Sequence, residues 1–293
     1  MDRKTICARL SALAGILAVA AGLASCPRPA TIVVGSKNFT EQVLLGEILA
    51  QQIERRLGVR VTRKLDLGGT LLAQEALAGG AIDLYPEYTG TALTAVLKRP
   101  AMSDPNAVFD AVREAYRRQW KLAWLRPFGF NNTFAMIVRR DEKLGSLSAA
   151  ARAHAWRLGM GYEFRQRPDG LDGLVKAYDL RLSEDPITMD LGLLYSALES
   201  RKVDMIAANS TDGMISVRDV AVLEDDRRYF PPYQCAAVVR EATLARYPGL
   251  REAVEQLSGR LTETVMRRLN YQVDGQHRPA ADVAAEFLQS LGR

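Results

Sequence analysis

The chain has 293 residues, 48% of them hydrophobic and 25% charged, with a formal net charge of +5. This is ordinary globular composition, and it excludes a disordered or collagen-like protein. At about 100–200 residues per domain the length predicts two domains with sizeable cores. Aromatic residues make up only 7%, so rings gathered near turn motifs carry information.

Residues 1–25 read as a segment to be removed before folding. Arg3, Lys4 and Arg9 form a basic start, and the stretch from Leu10 to Ser25 is uncharged. That stretch is shorter than the roughly 20 residues of a stable membrane span, and it ends in small residues, as a secretory signal does. Leu23-Ala24-Ser25-Cys26 resembles a bacterial lipobox, in which cleavage precedes a lipidated cysteine. The alternative is a plain signal peptide with an incidental cysteine. Removal of three basic residues and one acidic residue leaves a net charge of about +3, weak grounds for a nucleic-acid partner. With Cys7 removed and Cys26 acylated, Cys235 has no intramolecular partner, so an exported chain of this kind folds on its hydrophobic core alone.

Residues 26–30 form a short proline-containing tether. Thr31–Val34 then predicts a buried strand that ends at Gly35-Ser36-Lys37. From Thr40, apolar residues at 45, 49, 53 and 57 predict a helix stopped by Gly58. Val59–Thr62 alternates as a strand. Gly68-Gly69-Thr70 opens a helix through about Ala78, with Thr70 as its expected N-cap, and Ala81–Tyr85 reads as the next strand. Phe134–Val138, the weaker Arg157–Gly161 and Val203–Ala207 follow as strands, with a helix from Leu191 to Leu198. The end is helical, with one apolar stripe at Leu250, Val254, Leu257 and Leu261 and another at Val283, Phe287 and Leu291. Strands alternating with helices predict parallel βαβ units and an α/β fold. Ala76-Leu77 with Ala81–Leu84 is echoed 121 residues later by Ala197-Leu198 with Lys202–Met205. The echo is either chance or the mark of two similar lobes that present equivalent turns to a shared cleft beyond the strand ends.

Several chemistries are missing. His154 and His277 lie in no metal-ligand spacing, so neither a His/Cys metal site nor any other cofactor is expected. No G-x-S-x-G elbow, phosphate loop or dinucleotide fingerprint occurs. Glu224-Asp225-Asp226 reads as a solvated acidic turn. The sequence therefore predicts no enzyme.

What remains is a set of unusual short strings at strand ends and turns: Gly35–Glu41, Leu84–Thr91, Gly129–Phe134, Arg167-Pro168-Asp169-Gly170, Asn209–Gly213 and Pro231-Pro232-Tyr233. Together they resemble the osmoprotectant substrate-binding proteins of ABC importers, which take up glycine betaine, choline, carnitine or proline betaine. The resemblance runs from about Thr31 to Leu291. It implies a two-lobed clamp with the ligand between the lobes and two hinge crossovers, near Asn132-Thr133 and after Tyr233. One lobe would comprise residues 31–131 and 241–293, the other residues 132–240.

A quaternary ammonium offers no N–H, so aromatic faces select it, at about 0.5–2 kcal/mol per ring. A carboxylate at its other end asks for cations and N–H donors. By resemblance, Tyr88, Phe134, Asn209 and Tyr233 occupy the cage positions, and Arg167, Lys37 and Asn132 the polar ones. The family pattern has tyrosine at all four cage positions, so Phe134 loses a hydroxyl and Asn209 loses a wall. Tyr85 and Tyr162 read as packing residues. The resemblance implies a monomeric, lipid-anchored, extracytoplasmic protein that captures a small quaternary-ammonium or zwitterionic solute and delivers it to an inner-membrane ABC permease. The alternative is the same clamp holding a different small amine or zwitterion, as a transport or sensory receptor.

Overall fold

The computed structural model describes residues 31–292. The predicted signal segment and the lipidation site Cys26 lie outside the described residues. Among the described residues no helix is long and apolar enough to cross a membrane.

Ten strands are described: β1 Ile32–Gly35, β2 Val61–Lys64, β3 Leu84–Tyr88, β4 Leu122–Trp124, β5 Phe134–Arg139, β6 Leu158–Met160, β7 Ile187–Thr188, β8 Met205–Asn209, β9 Val220–Val222 and β10 Cys235–Arg240. They form two five-stranded sheets, ordered β2-β1-β3-β10-β4 and β7-β6-β8-β5-β9. The two sheets share one plan. β1 lies parallel to β2 and β3, while β10 runs antiparallel to both β3 and β4. Likewise β6 lies parallel to β7 and β8, while β5 runs antiparallel to both β8 and β9. The chain passes from the first sheet to the second before β5 and returns before β10. The two passing segments touch at an antiparallel bridge between Asn131 and Gln234. This is the two-lobed clamp.

The 121-residue echo is a structural equivalence. Leu84–Tyr88 and Met205–Asn209 are equivalent strands, and the turns that feed them match bond for bond. Ala81 N–H donates to Ala76 O at 2.8 Å, and Lys202 N–H to Ala197 O at 3.0 Å. Tyr88 and Asn209 therefore stand at the same place, the last residue of the strand, in the two sheets.

Both faces of the first sheet are covered, as parallel strands require. On one face Leu44, Leu45, Ile48 and Leu49 pack with Val254, Leu257, Val283 and Phe287. The C-terminal helices thus join the first sheet. On the other face Val108, Val112 and Tyr116 of the helix Pro105–Trp120 pack with Leu77 and Val238. Asp104 caps that helix by accepting from Ala107 N–H at 2.7 Å. This helix, β4 and β10 add to the elements expected from the sequence.

Several expectations need correction. The strands expected at Val59–Thr62, Ala81–Tyr85 and Val203–Ala207 lie two to three residues further on, at Val61–Lys64, Leu84–Tyr88 and Met205–Asn209. The sheets are mixed rather than wholly parallel, because β5 and β10 enter each of them antiparallel. β10 lies in the first sheet, so the return to that sheet is complete at Cys235, ahead of the boundary expected at residue 240. Thr70 is the first helical residue and Gly69 the cap position. The stripe from Leu250 to Leu261 spans a helix that ends at Glu255, although all four residues are buried. Leu291 is 37% exposed and leaves the second stripe. The acidic run is the largely exposed turn expected, and it also holds its surroundings: Asp225 accepts from Tyr178 Oη–H and from the N–H groups of Tyr229 and Phe230, and Asp226 from Ser148 N–H. Cys235 is a buried free thiol.

Candidate ligand-binding site

Strand ends from both lobes meet at one cavity. Tyr88 ends β3 and Asn209 ends β8, while Phe134 begins β5 directly opposite Asn209. Asn132 and Tyr233 precede the two antiparallel strands by two residues each. The cavity has a volume of about 850 Å³, and its walls include Lys37, Tyr88, Asn132, Phe134, Arg167, Asn209 and Tyr233. The structure therefore brings together all seven residues singled out from the sequence. Open α/β sheets present ligand sites beyond the carboxyl ends of their parallel strands, where Tyr88 and Asn209 stand.

The rings form a connected surface. Phe134 meets Tyr233 edge-on with centroids 5.8 Å apart, and Phe164 at 4.9 Å. Phe39 stacks beside Tyr88 at 6.4 Å. The ring faces already meet cations of the chain itself: Arg167 Cζ lies 5.0 Å from the Phe134 centroid and 5.5 Å from that of Tyr233, and Lys37 Nζ lies 4.8 Å from that of Tyr88. Gly90 is required beneath Tyr233, because a Cβ there would lie 2.6 Å from the ring.

Both cations are held by carboxylates. Lys37 Nζ donates to Glu87 Oε1 at 2.6 Å, with the two side chains 3% and 0% exposed. Arg167 makes a two-pronged contact with Asp169, at 2.9 and 2.6 Å, and also donates to Thr91 Oγ1 at 2.8 Å. Burial pushes the Asp169 carboxyl up, but the Arg167 guanidinium outweighs it and holds the group below the usual carboxylate range. Tyr233 Oη–H also donates to Asp169. The pairing of Arg167 with Asp169 coexists with its place in the cavity wall. Such pairs fix orientation, and breaking one strands a buried charge.

Glu41, quoted in the sequence only as part of a string, is the hub of the site. Its carboxylate accepts from Tyr88 Oη at 2.7 Å, Asn132 Nδ2 at 2.8 Å, Thr211 Oγ1 at 2.5 Å and Asn270 Nδ2 at 2.9 Å. These donors come from β3, the crossover, the turn after β8 and a C-terminal helix. Burial raises the Glu41 pKa, against the pull of the four donors. A sequence signal existed: an acid in the first turn of a helix faces the positive end of the helix dipole. Nothing local revealed the partners, which lie up to 229 residues away.

A second carboxylate bridges the lobes. Glu163 accepts from Thr70 N–H at 2.5 Å and from Thr70 Oγ1–H at 3.1 Å, capping the helix Thr70–Ala78 from the other sheet's side of the cavity. Burial opposes its charge, but Lys37 and the Thr70 N–H hold its pKa low. The cap expected from Thr70 itself is thus supplied across the cavity. Tyr85 is fully buried as a packing residue should be, whereas Tyr162 is 60% exposed and lines the cavity, which corrects its reading as packing. Among the described residues no cluster of metal-ligating side chains occurs.

Residues 30–290 match the family described as the substrate-binding domain of the ABC-type glycine betaine transport system. The chain belongs to this family. It is 36% identical over 293 residues to a glycine-betaine-binding protein of Pseudomonas aeruginosa, covering 95% of this chain and 92% of that one. It is 31% identical over 281 residues to a carnitine transport binding protein of Listeria monocytogenes, covering 91% of each. A crystal structure of a glycine betaine/carnitine/choline ABC transporter component superposes with a TM-score of 0.76 at 30% identity, covering 88% of this chain and 98% of that one. Family members are extracytoplasmic substrate-binding proteins of transport systems and not enzymes.

Proposed function

We propose that this chain captures a small quaternary-ammonium osmoprotectant of the glycine betaine type between its lobes and delivers it to an ABC permease, tethered to the membrane through a lipidated Cys26. The observation that carries this reading is the meeting of Tyr88, Phe134 and Tyr233, from both sheets, at one cavity. Three ring faces attract a cation that cannot donate hydrogen bonds, at about 0.5–2 kcal/mol each. Lys37, Arg167 and Asn132 stand beside them as the polar end.

Closure is the working step. A ligand that touches both lobes favours the closed form by its differential affinity for the two forms. The Asn131–Gln234 bridge joins the crossing segments about which the lobes would turn. The permease would then read the closed shape.

Calorimetric titration of the mature protein with glycine betaine tests the reading, at protein concentrations that detect millimolar affinity. Saturable binding that Tyr88→Ala and Tyr233→Ala each weaken about 2- to 30-fold is expected. Absence of heat with glycine betaine, choline and carnitine alike would overturn it.

A further inference from the structure

Every cation that lines the cavity already has a carboxylate. Lys37 pairs with Glu87, Arg167 with Asp169, and Arg218 with Glu199 at 3.0 Å. At one end of the cavity the balance is reversed, and the carboxylates of Asp212 and Asp274 have no salt-bridge partner among the described residues. The helix Glu263–Asp274 places Asn270 and Asp274 one turn apart on one face. That face looks toward the turn after β8 and the start of the helix Thr40–Leu57, since Asn270 Nδ2 donates to Thr211 O at 2.9 Å and Thr40 Oγ1 to Asp274 at 2.6 Å. Asp212, in the same turn, accepts from Met214 N–H at 3.1 Å. Tyr195 and Asn270 are only 4% and 3% exposed and line the cavity; the Tyr195 hydroxyl lies beside the Asp212 carboxylate, while Asn270 Oδ1 finds no hydrogen-bond partner among the described residues. Arg267 of that helix lies beside this end and donates its Nε–H to Ser210 O at 2.8 Å, with no salt bridge to Asp212 or Asp274.

We propose that this acceptor-rich end, made by Asp212, Asp274, Tyr195 and Asn270, is a subsite for a protonated nitrogen, so that the preferred ligand is a net cation carrying both a trimethylammonium group and an N–H-donating amine. The inference rests on the reading of the cavity as a quaternary-ammonium clamp. A buried acceptor without a donor is costly, and an ammonium supplies three donors with the complementary charge. Burial, with Asp274 nearby, pushes the Asp212 carboxyl up to about 6, against the pull of the Met214 N–H and the Tyr195 hydroxyl. Asn209 fits the same picture. Asn209 is the smaller counterpart of Tyr88, and its backbone O accepts from Asp212 N–H at 3.0 Å, so it adjoins this end of the cavity. A volume of about 850 Å³ falls within the roughly 300–1,000 Å³ of pockets that enclose drug-sized molecules. A solute as small as glycine betaine would leave much of it unfilled.

The test is calorimetric titration of the mature protein with tetramethylammonium, glycine betaine and a series of (trimethylammonio)alkylamines with spacers of two to five methylenes. One spacer length is expected to bind about 10-fold or more tightly than glycine betaine, the gain of a charge-assisted hydrogen bond. Asp274→Asn and Tyr195→Phe should each erase most of that preference and leave glycine betaine affinity within about twofold. Glycine betaine binding as tightly as every diamine, or a preference untouched by both variants, would overturn the inference and leave the clamp reading intact. If no trimethylammonium compound binds, both fall together.

Discussion

Tyr88 donates its phenolic hydrogen to Glu41 at 2.7 Å, so an aromatic wall of the cavity is fixed by the carboxylate that also holds Thr211 of the second lobe. A ring that serves a cation through its face must be held by its edge, as this bond holds Tyr88, whose face already lies 4.8 Å from Lys37 Nζ. Glu41 is 3% exposed and satisfied by four donors. Networks of this kind are favourable only when complete.

Glu41→Ala strands four buried donors. Each unsatisfied group costs about 1–3 kcal/mol, partly relieved by water or rearrangement, and a total loss of roughly 2–4 kcal/mol is expected in urea unfolding. Glu41→Gln keeps one acceptor oxygen and turns an NH2 toward donors, so its loss should be smaller. Both changes release Tyr88 and should weaken glycine betaine. A Glu41→Ala protein with unchanged unfolding midpoint and unchanged affinity would refute the hub.

Asn209→Tyr restores the ring that the equivalence with Tyr88 calls for. The side chain lines the cavity opposite Phe134 and makes no hydrogen bond among the described residues, so nothing is lost by its removal. Glycine betaine affinity should rise about 2- to 30-fold. A fall or no change on titration would mean that position 209 does not face the ammonium.

The cavity residues were legible in the sequence because strand ends and turns leave strong local marks. Pro86 and Gly90 around Tyr88, and the Pro-Asp-Gly turn after Arg167, announce places where side chains leave the core. The equivalence of Tyr88 and Asn209 was visible as a 121-residue repeat. What escaped depends on distant contacts. β10 looks like any apolar run until it is seen to insert antiparallel between β3 and β4 after the second crossing. The strands begin later than their apolar runs suggest, because the turns before β3 and β8 carry the same apolar letters as the strands. Glu41 and Asn270 escaped for a related reason: a lone acid and a lone amide acquire meaning only when the fold brings them within 2.9 Å.

The Glu163–Thr70 contact predicts a shift in lobe closure. The carboxylate caps a helix start that lacks its own side-chain cap, and Lys37 and Arg167 add charge attraction. Glu163→Gln keeps the size and weakens the acceptor. A charge-assisted bond is worth about 1.5–3 kcal/mol and the neutral bond that replaces it about 0.5–1.5 kcal/mol, so a loss of about 1–1.4 kcal/mol should lower the closed population roughly 5- to 10-fold relative to the open form. Small-angle scattering of the ligand-free variant should show a larger radius of gyration, restored by saturating ligand. Identical radii for variant and parent would remove the latch.

Asp204 offers a pH test away from the cavity. Arg157 holds it from one side at 2.7 Å and Arg139 from the other at 3.0 Å, and these bonds bring its pKa down to about 2. An unfolded aspartate titrates near about 3.9. Because the folded value is the lower, the stabilisation is fully present above the unfolded pKa and is lost as pH falls through about 2. Asp204→Asn should therefore lower Tm by about 2–4 °C at pH 7, with the gap to the parent narrowing between about pH 4 and pH 2. Thermal unfolding followed across that range reads it directly, and a gap that stayed constant down to pH 2 would show that the two arginines act by packing rather than by charge.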